Sequence, residues 1–195
     1  MQILFHDDNI TAVIKEVGMD SEKDLPRLLE EKYGTPFYTV HRLDKNVGGV
    51  MVYAGNKESA AKLSHLIQNS KMIKEYVAKV HGTPDEHGFF EDLLFKDSKK
   101  NKVYVVDRLR KGVKSAKLEY WTLIKGENSL VRIRLYTGRS HQIRVQFASR
   151  KFALLGDKKY GAKDEFSAPF LYSSKITFPY KNETVTFESL PDWAK

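Results

Sequence analysis

Asp44 has the setting that first invites a chemical reading. It stands in His41-Arg42-Leu43-Asp44-Lys45-Asn46-Val47-Gly48-Gly49-Val50-Met51-Val52, a charged tetrad followed by a glycine pair and an apolar strand. Glycines at 48 and 49 permit positive φ or the close approach of another backbone, so the pattern puts a carboxylate in a loop or strand entry beside rigid sheet. A ligand can reach it there. The more ordinary job for an Asp in a charged loop is to pair with a neighbouring Arg or Lys, or to cap a turn. A second segment, Tyr136-Thr137-Gly138-Arg139-Ser140-His141-Gln142-Ile143-Arg144-Val145-Gln146, gathers cations and amides. If a helix begins at Ser140, Ile143 and Phe147 share one stripe while Ser140, Arg144 and Ala148 share another, which takes Arg144 off the core stripe. Arg139 lies five residues before Arg144, a separation that turns the two guanidiniums apart on a helix of 3.6 residues per turn and gives them different jobs.

The elements that must position these groups are mostly strands. Alternating or β-branched runs predict strands at 2–5, 10–15, 37–40, 50–54, 73–81, 103–106, 116–123, 130–136, 170–178 and 184–187. Start signals and amphipathic spacing predict helices at 22–32, 57–68 and 140–150. Ser21 is expected to cap the first with Asp24 three residues on, and Gly34 to follow its end. Asn56 precedes the second, in which Ala60, Leu63 and Ile67 form a stripe that wants a sheet. No linker, repeat or low-complexity tract divides the chain. The expectation is a single α+β domain over residues 1–195, a mixed and mainly antiparallel β-sheet core with flanking helices.

The chain of 195 residues carries 33 Lys and Arg against 25 Asp and Glu, a formal charge of +8, which suits a polyanionic partner such as nucleic acid or an acidic membrane surface. The lysine-rich stretches at 96–102 (KDSKKNK) and 108–114 (RLRKGVK) read as exposed turns around a short strand, candidates for phosphate contact. With no Cys, disulfides, thiolate metal sites and cysteine nucleophiles are excluded. The six His show neither HxxxH nor HExxH spacing, so no metal is expected. The N-terminus is broken by charges and lacks a signal-like apolar core, and no run is long enough to span a bilayer; a cytoplasmic protein is expected.

Two long segments together resemble the RluA family of RNA pseudouridine synthases. His41-Arg42-Leu43-Asp44 before a small-residue step and an apolar strand is similar to the family's signature motif. Thr137-Gly138-Arg139-Ser140-His141-Gln142-Ile143-Arg144, followed by Gly156-Asp157-Lys158-Lys159-Tyr160-Gly161, resembles its TGR[ST]HQIR and GDxxYG stretches in order and separation. Lys74-Glu75-Tyr76-Val77-Ala78-Lys79-Val80-His81-Gly82 is similar to its KxYxAxVxG strand. The likeness runs from about residue 37 to the C-terminus, where 170–179 looks like the closing strand and 191–193 like a terminal PxxW.

The resemblance implies the pseudouridine synthase fold and the isomerisation of uridine in ribosomal or transfer RNA, with no cofactor. It assigns catalysis to Asp44, Tyr76 and Arg144, and substrate binding to Arg42, His41, Arg139, His141 and Ile143. Asp44 would act ionised at the sugar, as nucleophile at C1′ or as base toward the 2′ position. Burial alone would neutralise such a carboxylate, so a guanidinium close to it is a physical requirement, and the family motif gives that place to Arg144. Arg42 would enter the RNA as the target base leaves, and Tyr76 would stack on that base with Ile143 against it. Three departures stand out: Val47-Gly48-Gly49 in place of a Thr-Ser-Gly step, Lys15-Glu16-Val17-Gly18 in place of Lys-Pro-x-Gly, and Tyr172 where a His is common. The altered 47–49 step supports an alternative, a non-catalytic RNA-binding protein that keeps the fold. A hydrolase using Asp44 with His41 or His141 fits the motif spacing poorly. No RNA-binding module of the S4 type is visible, RNA is the expected partner, and a monomer with no obligate protein partner is expected.

Overall fold

The computed structural model describes residues 1–195. In chain order its elements are β1 (Gln2–His6), β2 (Ile10–Lys15), α1 (Asp24–Tyr33), β3 (Tyr38–Thr39), β4 (Gly48–Ala54), α2 (Lys57–Gln68), β5 (Ile73–His81), β6 (His87–Asp97), β7 (Lys102–Val106), β8 (Val113–Ile124), β9 (Asn128–Leu135), α3 (Gln142–Ala148), β10 (Leu171–Tyr180) and β11 (Glu183–Glu188). Short 3-10 turns lie at Lys158–Tyr160 and Asp192–Ala194. The chain forms two compact units, one of residues 1–74 with 172–195, the other of residues 75–171. No helix is long and apolar enough to cross a membrane.

In the first unit the strand order is β1-β2-β4-β10, with β11 beside β10 and β3 beside β4. β4 is buried along its whole length, as a strand with partners on both edges and side chains covered on both faces must be. β2 runs antiparallel along one edge of β4. The other edge is shared by β3 at Tyr53–Ala54 and, in parallel, by β10 at Gly48–Gly49. Ile10, Ala12, Val50, Val52, Ala54, Ile176 and Phe178 make the core, closed by Leu63 of α2 and by Met72. Gly49 has φ +121, and a Cβ there would collide with the main chain of Ser173. The glycine pair therefore does allow a close backbone approach, and the approaching strand is β10.

In the second unit the order is β5-β9-β8-β6-β7, with β9–β8, β8–β6 and β6–β7 all antiparallel. One face is apolar: Leu94, Val103 and Ala116 pack with Val145 of α3. Phe147 of α3 meets Phe90 and Tyr120 at ring distances of 5.1 and 5.3 Å.

The mainly antiparallel sheet with flanking helices agrees with the α+β class expected. β2, β5 and α2 occupy the predicted residues, and Asn56 caps α2 by accepting the Ser59 N–H at 2.8 Å. Three expectations change. β6, an 11-residue strand, is not among the predicted elements, because HGFFEDLLFKD has no β-branched residue and three acids. α1 begins at Asp24 with no side-chain cap, since the Ser21 hydroxyl is used elsewhere. α3 begins at Gln142 and not at Ser140, because His141 holds the left-handed backbone, φ 50 and ψ 21, which no α-helix continues.

Candidate active site

The predicted site residues fall in both units: His41, Arg42 and Asp44 in the first, Tyr76, Arg139, His141, Ile143 and Arg144 in the second. In the first unit the segment 41–47 enters β4, and it is tied down before and after Asp44. The Ser21 hydroxyl donates to the Leu43 carbonyl at 2.9 Å and accepts the Leu43 N–H at 3.3 Å. Tyr53 fixes that serine by donating its hydroxyl to the Ser21 carbonyl at 2.7 Å. On the far side the Lys45 carbonyl accepts from Lys15 Nζ at 3.1 Å and from the Gly18 N–H at 2.8 Å. The Val47 N–H closes the turn onto the Asp44 carbonyl at 2.9 Å. The loop is thus held from outside by Ser21, Lys15 and Gly18, with no side-chain hydroxyl at positions 47 and 48. Asp44 is half-buried.

Lys15 is fully buried, and burial drives its pKa down to about 8 although Asp20, Asp44 and Asp24 pull the other way. An ammonium under Asp44 with its protons on main-chain carbonyls both steadies the loop and puts positive potential beside the carboxylate. His41 Nε2 accepts the Val52 N–H at 3.1 Å, so that nitrogen is unprotonated. Burial, helped by the charge of Lys74, lowers its pKa to about 3. Arg42 is exposed and pairs with Glu22 at 2.8 Å, a surface contact worth at most about 1 kcal/mol.

In the second unit Tyr76 is 6% exposed on β5. α3 is buried from Gln142 to Phe147, so Arg144 does not face the polar surface that a helix starting at Ser140 implies. Arg144 is 8% exposed, and its guanidinium holds Asp157, 1% exposed, in a two-toothed pair: Nε to Oδ2 at 2.7 Å and Nη2 to Oδ1 at 2.8 Å. The pair engages two of the five N–H donors and sets the plane of the fork. Arg144 also lies 5.1 Å from the centre of the Tyr160 ring.

His141 Nδ1 contacts the Tyr160 hydroxyl at 2.8 Å, and that hydroxyl accepts the Val103 N–H at 2.9 Å. A non-glycine residue in the left-handed region costs on the order of 1 kcal/mol or more, which the surrounding contacts must hold. Ile143 is buried on α3. Arg139 precedes the helix and is exposed, its Nε donating to the Ser115 carbonyl at 2.9 Å.

Reading the sequence missed four participants. Asp157 and Tyr160 stand in the quoted GDxxYG stretch, which was the signal, but they received no role. Lys15 was noted only as part of an altered N-terminal stretch. Ser21 has the local pattern of a helix cap, whereas its tie to Leu43 spans 22 residues and leaves no local pattern.

A model of the family described as RNA pseudouridylate synthase matches residues 10–149. An uncharacterized RNA pseudouridine synthase of Aquifex aeolicus is 38% identical over 165 residues, covering 76% of this chain and 51% of the relative. Ribosomal large subunit pseudouridine synthase D of Borreliella burgdorferi is 35% identical over 127 residues, covering 64% of this chain and 38% of its own length. The chain therefore spans about half or less of the length of these two relatives. Among solved structures, human RNA Pseudouridylate Synthase Domain Containing 4 has the same fold, with TM-score 0.82 at 24% identity over 99% of this chain and 90% of that one.

Proposed function

Because the chain belongs to the RNA pseudouridylate synthase family, in its RluA branch, we propose that it isomerises specific uridines of structured RNA, ribosomal or transfer, to pseudouridine, with Asp44, Tyr76 and Arg144 as its catalytic residues. The reaction breaks the N1–C1′ bond, turns the uracil, forms C5–C1′ and moves a proton from C5, with one returning to N1, so atoms and electrons balance with no cofactor. Asp44 acts at the sugar, as nucleophile at C1′ or as base toward the 2′ position. The observation that carries the reading is the pinned Asp44 loop. Ser21, Lys15 and Gly18 fix the main chain on both sides of a half-buried carboxylate, the preorganisation that chemistry at a sugar carbon requires.

Arg144 supplies the positive charge an ionised carboxylate needs in a dry site, and its pair with Asp157 fixes its aim. Tyr76 stacks on the extruded uracil and relays the C5 proton, with Ile143 against the same base. Base extrusion costs a few kcal/mol, and Arg42, bound only by an exposed ion pair, swings to fill the vacated place. His41 supports Arg42 and Asp44 through its bond to β4, while Arg139 and His141 meet the RNA at the entry to α3.

The test is to incubate the protein and its Asp44→Asn variant with total RNA from a host lacking this protein, then map pseudouridines by carbodiimide-dependent reverse-transcription stops. Stops made by the wild type and lost in the variant are expected. RNA binding by both without any stop would replace this reading with a non-catalytic RNA-binding one.

A further inference from the structure

The two lysine-rich turns flank β7, and beside them the second unit opens a cavity of about 180 Å³. Its floor includes Leu94 and Val103, both buried in the core under α3, and its wall carries Lys96, Lys114, Arg139 and Ser140. The register of the sheet makes this grouping inevitable. Lys114 of β8 lies opposite Leu94 of β6, and Lys96 is two residues further along the same face of β6, which sets the lysines as diagonal neighbours about 7–8 Å apart. The bond from Arg139 Nε to the Ser115 carbonyl brings the third cation to β8.

None of the lining residues carries a carboxylate. Two other lysines near this sheet do have acidic partners, Lys117 with Glu91 at 2.7 Å and Lys125 with Glu86 at 3.1 Å. Three cations gathered without a counter-charge repel one another and cost stability, a cost that a bound anion removes. An apolar floor with a cationic wall fits a sugar–phosphate, the sugar below and the phosphodiester between the charges.

We propose that the cavity lined by Lys96, Lys114, Arg139 and Ser140 is a backbone-phosphate subsite for the substrate RNA. It rests on the reading of the protein as an RNA-modifying enzyme and adds to it where the strand is gripped. Arg139 and Ser140 lead directly into α3, which carries Arg144. A phosphate held here therefore sets the register of the RNA relative to the helix and makes the site discriminate by backbone path and not by base.

The experiment compares Lys96→Gln/Lys114→Gln with Lys57→Gln/Lys62→Gln, which removes the same charge from exposed positions of α2. Affinity for the RNA identified by mapping is measured between about 50 and 200 mM salt. The cavity pair is expected to lower affinity about tenfold or more and the salt slope by about 1–2, while the helix pair leaves the slope as it is. Equal slopes and affinities for the two double variants, with a wild type that modifies RNA, would overturn the subsite alone. A wild type that neither binds nor modifies RNA would overturn the subsite and the functional reading together. Inorganic phosphate, titrated at constant ionic strength, is the remaining arm. Saturable binding lost in the cavity pair, with an unchanged RNA slope, would assign the cavity to free phosphate instead.

Discussion

At the scale of single residues, the loop that carries Asp44 is held by groups from distant parts of the chain. Asp44, Tyr76 and Arg144 stand in runs of residue types that recur together, whereas Ser21, Lys15 and Asp157 act across 22, 30 and 13 residues of chain respectively. Contacts at such separations leave no periodicity, and Ser21 in particular looks like the helix cap it is not. Lys15 gives this scale its prediction. Its pKa is about 8 in the fold against 10.5 ordinarily, so between those values the unfolded chain holds more protons and stability rises with pH. Below about pH 8 both states are protonated and the full cost of burying the ammonium is present. Lys15→Met removes the group, so the stability of the wild type relative to the variant should climb between pH 8 and 10.5. Urea unfolding of both proteins at intervals across that window measures it; parallel curves would mean that Lys15 titrates normally.

Among the elements, those with one exposed face or a clean cap were readable, and those governed by tertiary contact were not. α2 has a polar face, a capping Asn and a stripe of Ala60, Leu63 and Ile67, and it occupies the predicted residues. α3 is a seven-residue helix buried through six of them, so it has no polar face to give it a period, and its start is set by the left-handed His141. β6 lacks β-branched residues and is a strand because β7 and β8 pair with it on both edges. What keeps so short a helix in place is side-chain packing, chiefly Phe147, fully buried between Phe90 and Tyr120. Phe147→Ala should cost about 3–5 kcal/mol. A thermal or urea unfolding series checks this. A loss under about 1 kcal/mol would show that the cavity collapses and that α3 is held by its polar contacts instead.

For the whole molecule, the order of the chain matters as much as its contacts. Residues 75–171 are continuous and complete one unit, while the other needs both 1–74 and 172–195. A chain stopped after Leu171 should therefore give a protease-resistant fragment from the second unit and rapid digestion of residues 1–74, seen by limited proteolysis with mass spectrometry. Equal resistance of both stretches would show that the N-terminal residues hold together without the closing strand. The feature that matters is the seat of Ser173 on Gly49, where β10 adds to β4 and the Ser173 hydroxyl donates to the Val50 carbonyl at 2.9 Å. The strand that follows Asp44 thus acquires one of its edges from a segment translated some 120 residues later. On the ribosome, the carboxylate is therefore synthesised well before the strand that supports it. Until β10 has been released, the Asp44 loop enters a strand that lacks this support.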